Sequence, residues 1–339
     1  MQRRRESIKI NQTLIHHLLF TAHCLLFTAY CSPFTAYCLL MTPFFSIIVP
    51  THGRDAALHR CLEALDRLDY PPERYEIIVV YDGDSPAQPP TLENRPLQIL
   101  SQPKSGPAAA RNRGAAQAEG EYLAFTDDDC FPAADWLHQL SAALEKFPER
   151  MVGGRIINAL PDNNYAAATQ LLVDFLYEQY NPDPLQAQFF NANNMALKRD
   201  LFITLGGFDA RFSLPAGEDR ELCRRWLHTG RRMFYQPAAV VHHAHPLTPA
   251  RFWQQHLNYG RGAFHFRHLQ ARQQNSRLKL ESASFYLNLL RYPFRQTNGR
   301  AAPHLFPLFL IMQTANTFGF LQEGFRLVQS HRLNQSSSK

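Results

Sequence analysis

The chain has 339 residues, of which 45% are hydrophobic and 19% are charged, and its formal net charge is +6. This composition excludes a disordered chain, and the length allows one large domain or two modest ones. The charge is uneven: residues 246–339 hold twelve Lys or Arg against Glu281 and Glu323, so this tail carries +10 and residues 1–245 carry −4. A basic tail on an acidic body is typical of a protein that contacts an anionic surface, either membrane or nucleic acid.

Residues 20–40 repeat a seven-residue unit three times, as FTAHCLL, FTAYCSP and FTAYCLL. The repeat carries no charge, which argues against a coiled coil. We expect residues 1–40 to be a low-complexity, disordered extension, read from a DNA repeat upstream of a true start at Met41; a signal anchor is the alternative. The six cysteines show no CxxC or metal-binding spacing, which favours a reducing compartment.

Four apolar runs after the repeat predict strands, and these are Phe44–Pro50, Tyr75–Asp84, Leu97–Gln102 and Glu121–Asp129. Helical spacing of apolar residues predicts helices between and after them, one capped by Asp55 and one with Pro107 in its first turn. Strands that alternate with helices predict an α/β fold with a mostly parallel sheet.

Polar residues follow three of the predicted strands, namely Thr51, Asp82 and the cluster Asp127–Asp129. Ligands of such a sheet bind beyond the carboxyl ends of its strands. Carboxylates one residue apart can both reach one hard cation, and three adjacent carboxylates repel one another unless a cation is bound. TDDDC therefore predicts a Mg²⁺ or Mn²⁺ site, with a solvated acidic turn as the alternative.

Three further segments carry candidate chemistry. In GPAAARNRG, a glycine turn opens a helix whose N–H groups, with Arg111, suit a diphosphate; an alanine-rich packing helix is the alternative. In GEDRELCRRW, Glu218 and Asp219 begin a helix whose dipole would keep them ionised and able to act as bases, unless they only cap it. VVHHAH contains His243, either a metal ligand or an ordinary surface histidine.

In this order and spacing the segments resemble family 2 glycosyltransferases of the GT-A fold. The segments that carry the resemblance are FSIIVPTHGR, EIIVVYDGDS, SGPAAARNRGAAQAEGEYLAFTDDDC, NNMALKRDLFITLGGFD, GEDRELCRR and VVHHAH. The resemblance implies a Rossmann-like, GT-A-type catalytic domain over residues 44–245. It also implies a UDP- or GDP-sugar donor, a glycan or lipid-linked acceptor, Mn²⁺ or Mg²⁺, and direct inverting transfer to an acceptor hydroxyl.

The resemblance further implies roles for single residues. Asp219 would be the general base that takes the proton of the acceptor hydroxyl. Asp127, Asp129 and His243 would bind the metal ion. The residues expected to bind the nucleotide, its diphosphate or the sugar are Pro50, Thr51, Arg54, Asp82, Asp84, Lys104, Arg111, Asp127, Asp128, Asn194 and Glu218.

Two departures from the family pattern bear on these roles. VYDGDS lacks the paired aspartates that the family more often has before the glycine, so either Asp82 or Asp84 could contact the nucleotide base. No QxxRW follows GEDRELCRRW, which favours addition of a single sugar over polymerisation.

The tail from residue 246 to residue 339 is expected to be mainly helical. No charge occurs between residues 301 and 322, but proline and glycine interrupt this apolar stretch, which is near the lower length limit of a membrane span. We expect an interfacial or re-entrant segment that holds a cytoplasmic protein to anionic lipid on the inner face of the plasma membrane. A helical pair packed on the catalytic domain is the alternative, and nucleic acid is not expected, because no nucleic-acid motif accompanies the basic residues.

Two other classes of function compete with a glycosyltransferase. A nucleotidyltransferase-like sugar-nucleotide enzyme would be indicated by a glycine- and lysine-rich loop after the first strand, and PTHGRDAA is not one. A non-catalytic nucleotide-binding protein would not require Asp129 and Asp219. The sequence therefore predicts a metal-dependent, inverting glycosyltransferase of polysaccharide, glycolipid or cell-envelope glycan synthesis.

Overall fold

A computed structural model describes residues 42–86, 88, 90–92, 97–212, 216–295 and 302–336 of the chain. The predictions made for residues 1–40 lie outside these described residues. From residue 44 onward, the described chain forms one unit around a single sheet.

The strands of this sheet are β1 (Phe45–Thr51), β2 (Tyr75–Asp82), β3 (Leu97–Gln102), β4 (Tyr122–Phe125), β5 (Cys130–Pro132), β6 (Met151–Asn158), β7 (Met195–Lys198) and β8 (Met233–His243). Their order across the sheet is β3-β2-β1-β4-β7-β6-β8-β5. The pairs among β3, β2, β1 and β4 are parallel, as is the pair of β6 with β8. Strand β7 is antiparallel to β4 and β6, and β5 is antiparallel to β8. The predicted mostly parallel α/β sheet is confirmed.

The α-helices are α1 (Asp55–Asp66), α2 (Pro107–Gln117), α3 (Trp136–Lys146), α4 (Asn164–Tyr180), α5 (Arg199–Leu205), α6 (Glu218–His228), α7 (Pro249–Gln273), α8 (Ala283–Arg291) and α9 (Phe306–Ser336). Helices α1 and α3 cover one face of the sheet, and α2, α5 and α6 cover the other. The sheet is thus buried between two helical layers, as continuous apolar strands require.

Strand β1 shows how the sequence builds both layers. Ile47 and Val49 pack into the cluster that contains α1 and α3, whereas Ile48 packs into the cluster that contains α2. All three side chains are fully buried. Because successive side chains of a strand point to opposite faces, an unbroken run of β-branched residues fills both cores at once.

Two predicted boundaries differ from the structure. The strand expected to continue to Asp129 ends at Phe125, and the Cys130 N–H donates to the Asp127 carbonyl at 3.0 Å, which closes a turn around the aspartates. Helix α1 begins at Asp55 itself, because Arg54 takes the cap position, and no side chain caps this helix. Both changes place polar side chains on turns at the edge of the sheet.

The C-terminal helices share a hydrophobic cluster with α4, which includes Phe175, Phe252, Leu289, Phe309 and Met312. The region expected to be separate from residue 246 onward therefore packs on the rest of the fold, through α4. This is the helical-pair arrangement that the sequence left as the alternative to an interfacial segment. No helix among the described residues is long and apolar enough to span a membrane.

Candidate active site

A cavity of about 990 Å³ opens beyond the carboxyl ends of β1, β2 and β4, between the sheet and the C-terminal helices. Most of the predicted site residues line it, and these are Pro50, Thr51, Arg54, Asp82, Lys104, Arg111, Asp127, Asp129, Glu218, Asp219 and His243. The structure thus brings together motifs that lie up to 193 residues apart in the chain (Pro50 to His243). Asp84, Asp128 and Asn194 lie outside the cavity wall.

Asp82 ends β2 and holds the loop that leads into α2. Its Oδ1 accepts hydrogen bonds from the Ser105 N–H at 2.7 Å and the Gln102 amide at 2.9 Å, and its Oδ2 accepts from the Gly106 N–H at 2.9 Å. Burial opposes the charge of this carboxylate, but these hydrogen bonds lower the pKa of Asp82. Asp84 is exposed, so Asp82 is the carboxylate that reaches the cavity.

Gly106 makes this loop possible because its backbone has φ +93°, a conformation that favours glycine. Pro107 then begins α2, as the sequence predicts, and Lys104 lies on the same loop at the cavity wall. Gly106 and Pro107 thus bring the N-terminus of α2 to the cavity wall, and a helix N-terminus favours an anion.

Arg111 lies one turn into α2 and joins two parts of the site. Its guanidinium donates to Asp127 Oδ1 at 2.7 Å and to Glu218 Oε1 at 3.1 Å, and only 3% of the residue is exposed. Arg111 Nε and Glu218 Oε2 are buried and have no hydrogen-bond partner within the described structure. The arginine thus neutralises two carboxylates here, in addition to lining the expected diphosphate position.

Asp128 serves the framework of the site. It is fully buried and accepts the Thr51 hydroxyl at 2.6 Å and the Arg54 Nε–H at 3.1 Å. Burial, together with the charge of Asp129, raises the pKa of Asp128 to about 7, although the guanidinium of Arg54 opposes the shift. The expected contact of Asp128 with the nucleotide differs from this geometry, because the carboxylate faces β1 and not the cavity.

Asp129 and His243 form the part of the site that could hold a cation. His243 Nε2 lies 3.3 Å from Asp129 Oδ1, and Cys130 Sγ completes a group whose ligand atoms all lie within 4.8 Å of one another. Burial opposes the charge of Asp129, yet His243 and Arg54 lower the pKa of its carboxyl group. A carboxylate and an imidazole beside Asp127 fit the ligand preferences of Mn²⁺, and Mg²⁺ needs only the carboxylates and substrate oxygens.

Arg54 lies beside the carboxylates of Asp128 and Asp129. Its Nη1 lies 2.5 Å from Asp129 Oδ2, and it also pairs with Asp128. Close by, the rings of His243 and His245 lie 5.3 Å apart, and burial lowers the pKa of His245 to about 4. His245 Nδ1 is 3.8 Å from Asp129 Oδ2, so it adds a neutral nitrogen to the same cluster.

Glu218 and Asp219 open α6, directly after Gly217, which has φ +90°. Burial raises the pKa of Glu218 to about 7 and also raises the pKa of Asp219, against the expectation that the helix dipole keeps both ionised. Desolvation acts on the whole charge of each carboxylate, whereas the helix N-terminus offers only about half a positive charge to stabilise it. Desolvation therefore has the larger effect on the two pKa values. Asp219 Oδ1 accepts a local hydrogen bond, from the Arg220 N–H at 2.7 Å.

Asn194, expected in the sugar pocket, makes its hydrogen bonds inside the fold. Its Oδ1 accepts the Trp136 indole N–H at 2.9 Å, and its Nδ2 donates to the Arg155 and Ala239 carbonyls, each at 2.9 Å. The amide is fully buried and connects α3 with β6 and β8. The expected sugar contact of Asn194 stays a prediction, and the hydrogen bonds described for its side chain all lie inside the fold.

Two neighbouring asparagines take the position expected of Asn194. Asn191 and Asn193 line the cavity, and the Oδ1 atom of each is buried without a hydrogen-bond partner in the described structure. Buried polar atoms are nearly always paired, so these two acceptors are available to hydrogen-bond donors of a molecule in the cavity. The segment NANN in the sequence carried this signal, but it gave no way to tell the three asparagines apart.

Residues from elements outside the motifs pack around Arg220, which belongs to GEDRELCRRW and lines the cavity. Arg220 packs its guanidinium carbon 5.1 Å from the Tyr180 ring centroid, 5.2 Å from Phe189 and 5.9 Å from Phe266. Helix α9 contributes a further wall, which includes Asn316. Sequence reasoning missed these residues because only the tertiary fold brings α4, α7 and α9 to the active-site edge of the sheet.

Comparison with known proteins agrees with the motifs. The family model described as glycosyl transferase family 2 matches residues 46–206. The pre-mycofactocin glycosyltransferase of Mycobacterium tuberculosis is 28% identical over 216 residues, which are 61% of this chain and 44% of that protein. The glycosyltransferase AglE of Haloferax volcanii is 30% identical over 128 residues, which are 36% of this chain and 42% of AglE. Both matches thus span less than half of the relative's own length.

Among solved structures, the mannosyltransferase PcManGT from Pyrobaculum calidifontis, in complex with GDP-Man and Mn²⁺, is similar in fold. The TM-score is 0.50 at 18% sequence identity, with 86% of this chain and 80% of PcManGT covered. At this identity the likeness concerns the fold alone. Residues 46–206 thus match glycosyl transferase family 2, and the fold is the GT-A fold of glycosyltransferases.

Proposed function

We propose that the chain transfers a sugar from a nucleotide-diphosphate sugar to an acceptor hydroxyl, with Asp219 as the general base. The observation that carries the proposal is that Asp219 lines the same cavity as Asp82, Asp127 and Asp129. Two relatives named as glycosyltransferases, and a structure of the same fold that holds GDP-Man and Mn²⁺, support a nucleotide sugar as the donor.

The burial of Asp219 suits it to take a proton. Since burial raises its pKa, its carboxylate is a stronger base than that of a solvated aspartate. The acceptor O–H proton passes to Asp219 as the hydroxyl oxygen bonds to the anomeric carbon of the donor. The bond from that carbon to the diphosphate oxygen breaks, its electron pair leaves with the diphosphate, and the configuration at the carbon inverts.

The donor is held, in this proposal, by groups on both sides of the cavity. Asp82 and the start of α2 receive the nucleotide, and Lys104 faces its phosphates. The unpaired Oδ1 atoms of Asn191 and Asn193 accept hydrogen bonds from hydroxyls of the sugar. Each of these side chains is supplied by a strand end or by the segment before β7, so the site rests on the sheet.

We propose Mn²⁺ or Mg²⁺ as the cofactor, held by Asp129 and His243 with Asp127 beside them. A divalent cation at this position supplies positive charge to the leaving diphosphate. The carboxylate of Asp129 and the imidazole of His243 fit such an ion, and Arg54 stabilises the same carboxylate.

The decisive experiment is a transfer and hydrolysis assay with a panel of UDP- and GDP-sugars, in Mn²⁺ and in EDTA. We expect one donor to turn over and EDTA to abolish turnover. Asp129→Ala should lose metal-dependent binding of the donor, whereas Asp84→Asn, at an exposed carboxylate outside the cavity, should behave like the unchanged protein. A panel in which no donor binds or reacts in a metal-dependent way contradicts the proposal.

We further propose that the protein works on glycolipid, polysaccharide or cell-envelope glycan at the inner face of the plasma membrane. The +10 charge of residues 246–339 supports contact with anionic lipid. Helix α9 exposes a set of large apolar side chains, which are Leu310, Ile311, Phe318, Leu321, Phe325 and Val328. The free, buried thiols of Cys61, Cys130 and Cys223 support a reducing compartment.

A further inference from the structure

The cavity continues well beyond the carboxylates of the candidate active site. Its volume of about 990 Å³ is at the upper end of the range for ligand pockets. One part of its wall comes from α4, α8 and α9, and we call this part of the cavity the apolar arm. Its walls are formed by Leu172, Val173, Leu176, Phe285, Leu289 and Phe320.

The lining of the apolar arm selects against a hydrophilic occupant. Aliphatic and aromatic side chains from three helices face it, and burial of sugar hydroxyls against such a surface is costly without hydrogen-bond partners. Charged residues nearby on the cavity wall, Arg267 and Glu281, pair with each other at 2.8 Å, whereas Gln313 Nε2 and Asn316 Oδ1, one turn apart on α9, are buried and unpartnered in the described structure. They suit the polar end of a molecule whose remainder is hydrocarbon.

The mouth of the apolar arm is also apolar. Leu280, Tyr286 and Leu321 line the cavity and yet are 61%, 39% and 53% exposed to solvent. Further exposed apolar side chains, Leu287 and Phe318, lie on the helices that form the arm. Exposed apolar groups of this density mark interaction sites, and here they are continuous with the interior of a cavity that contains Asp219.

We propose that the apolar arm binds the hydrocarbon chain of the acceptor, so that the acceptor is a membrane amphiphile. Its hydroxyl reaches Asp219, and its chain lies between α4, α8 and α9 and leaves past Leu321. This inference rests on the proposed role of Asp219. The basic charge of the surrounding tail places the mouth of the arm next to anionic lipid, from which such an acceptor is delivered.

The test uses n-hexyl, n-octyl and n-decyl β-D-glucoside as probes, each below its micelle concentration, with binding to the full chain measured by calorimetry. We expect affinity to rise roughly fourfold for each added methylene, which corresponds to burial of the chain. Leu321→Glu and, separately, Tyr286→Glu should lower the affinity for decyl glucoside at least tenfold. The matched control is Ile203→Glu, at a residue on α5 that is 56% exposed and outside the cavity, and it should leave the affinity unchanged.

Two results would overturn the apolar arm as a chain-binding site. The first is an affinity for the glucosides that does not depend on the length of their alkyl chain. An affinity that Leu321→Glu, Tyr286→Glu and the control Ile203→Glu lower equally would count the same way. The second is a dimer seen by light scattering that Leu321→Glu dissociates, with no binding of the glucosides, since a second copy would then cover the arm.

Nucleotide binding separates this inference from the proposed function. UDP and GDP are titrated with Mn²⁺ against the same variants, and we expect Leu321→Glu to keep the affinity of the unchanged protein. Chain-length-dependent glucoside binding without nucleotide binding supports the arm and contradicts the donor site. Nucleotide binding together with glucoside binding that does not depend on chain length supports the donor site and contradicts the arm.

Discussion

Asp219 shows how burial, and not sequence position alone, gives a carboxylate its chemistry. It shares the first turn of α6 with Glu218, and the sequence treats the two alike. In the structure Glu218 is paired with Arg111, whereas the hydrogen bonds to the Asp219 carboxylate come from backbone N–H groups of its own turn. The carboxylate that is not hydrogen-bonded to a charged side chain is the one free to exchange a proton.

Asp219→Asn is expected to lower the rate of sugar transfer about a thousandfold, because an amide cannot accept the acceptor's proton. Donor binding should persist, since the change keeps the size of the side chain and leaves Asp82 and Asp129 intact. Single-turnover transfer and nucleotide titration measure the two effects separately. Loss of nucleotide binding together with retained transfer would reverse the role assigned to Asp219.

The acidity of Asp219 also gives the activity a pH dependence. Since burial raises the pKa of this base, its active, deprotonated form is lost at a higher pH than for an ordinary aspartate. We expect kcat/KM to fall on the acidic side at a pH above 3.8, the ordinary Asp value, and the fall should follow the pKa of the free enzyme. A pH profile that is flat down to that value would contradict the assignment.

Asp174 offers a residue-scale test of stability away from the candidate active site. Burial raises the pKa of this carboxyl group, on α4, to about 6, although the Gln170 amide donates to it at 2.8 Å. A raised pKa in the folded state means that stability is highest below the unfolded value and is lost as pH rises through 6. Asp174→Asn should therefore add about 2 kcal/mol to the free energy of unfolding at pH 8 and almost nothing at pH 4.

Denaturant unfolding at both pH values measures the effect of Asp174→Asn. Asp162→Asn, at an exposed residue, is the control and should change little at either pH. An equal gain at pH 8 and pH 4 would mean that the charge of Asp174 is not the cause.

At the scale of elements, α7 and α9 approach each other through glycines. A Cβ on Gly260 would lie 1.9 Å from the Asn316 carbonyl oxygen, and a Cβ on Gly319 would lie 2.0 Å from the Leu257 carbonyl oxygen. Both obstacles are backbone atoms, which cannot move aside as a side chain can. Because α7 and α9 pack this closely, α9 is held in place as a wall of the cavity.

Gly319→Ala is expected to push α9 away from α7 and to cost about 2 kcal/mol of unfolding free energy, despite the better helix propensity of alanine. Gly324→Ala on the same helix is the matched control, because its Cβ would meet only the Phe264 ring, at 3.2 Å. Thermal and denaturant unfolding compare the two. Equal stabilities would show that the helices are not in this close contact.

The elements also show how much of the structure can be predicted from the sequence. The continuous apolar run before Thr51 predicts a buried strand correctly, because a short run with β-branched residues on both faces fits few other structures. The end of β4 was misplaced by four residues, since polarity cannot tell the last residue of a strand from a turn that hydrogen bonds close. The asparagines before β7 could not be separated at all, because the choice between Asn193 and Asn194 depends on Trp136, 58 residues away.

At the scale of the whole molecule, charge and apolar surface lie on the same helices. The uneven charge could be counted from the sequence, but the sequence could not show what the basic tail does. An apolar stretch with nearby arginines fits a membrane segment and a packed helix equally well. The structure shows the packed helix, with Phe309 and Met312 buried and Phe318 and Phe325 exposed on α9.

The exposed face of α9 predicts binding to vesicles. We expect the protein to sediment with vesicles of anionic lipid more strongly than with zwitterionic ones, and to be released by high salt. Phe325→Ser should weaken this binding, because the ring is 68% exposed, whereas Ile203→Ser on α5 should not. Equal binding to both kinds of vesicle would contradict an electrostatic contact.

Arg54 gives the acidic turn a positive counter-charge that belongs to the chain itself. With its guanidinium on Asp128 and Asp129, the acidic turn carries an internal counter-ion, so removal of a bound cation does not leave bare like charges in a buried place. Chelation should therefore silence the protein without unfolding it, and the midpoint of thermal unfolding in EDTA should stay close to that in buffer alone. With Arg54→Ala the same chelation should lower that midpoint by several degrees, since the cation would then be the turn's main counter-charge. Arg54 would in this way separate the loss of an activity from the loss of a fold.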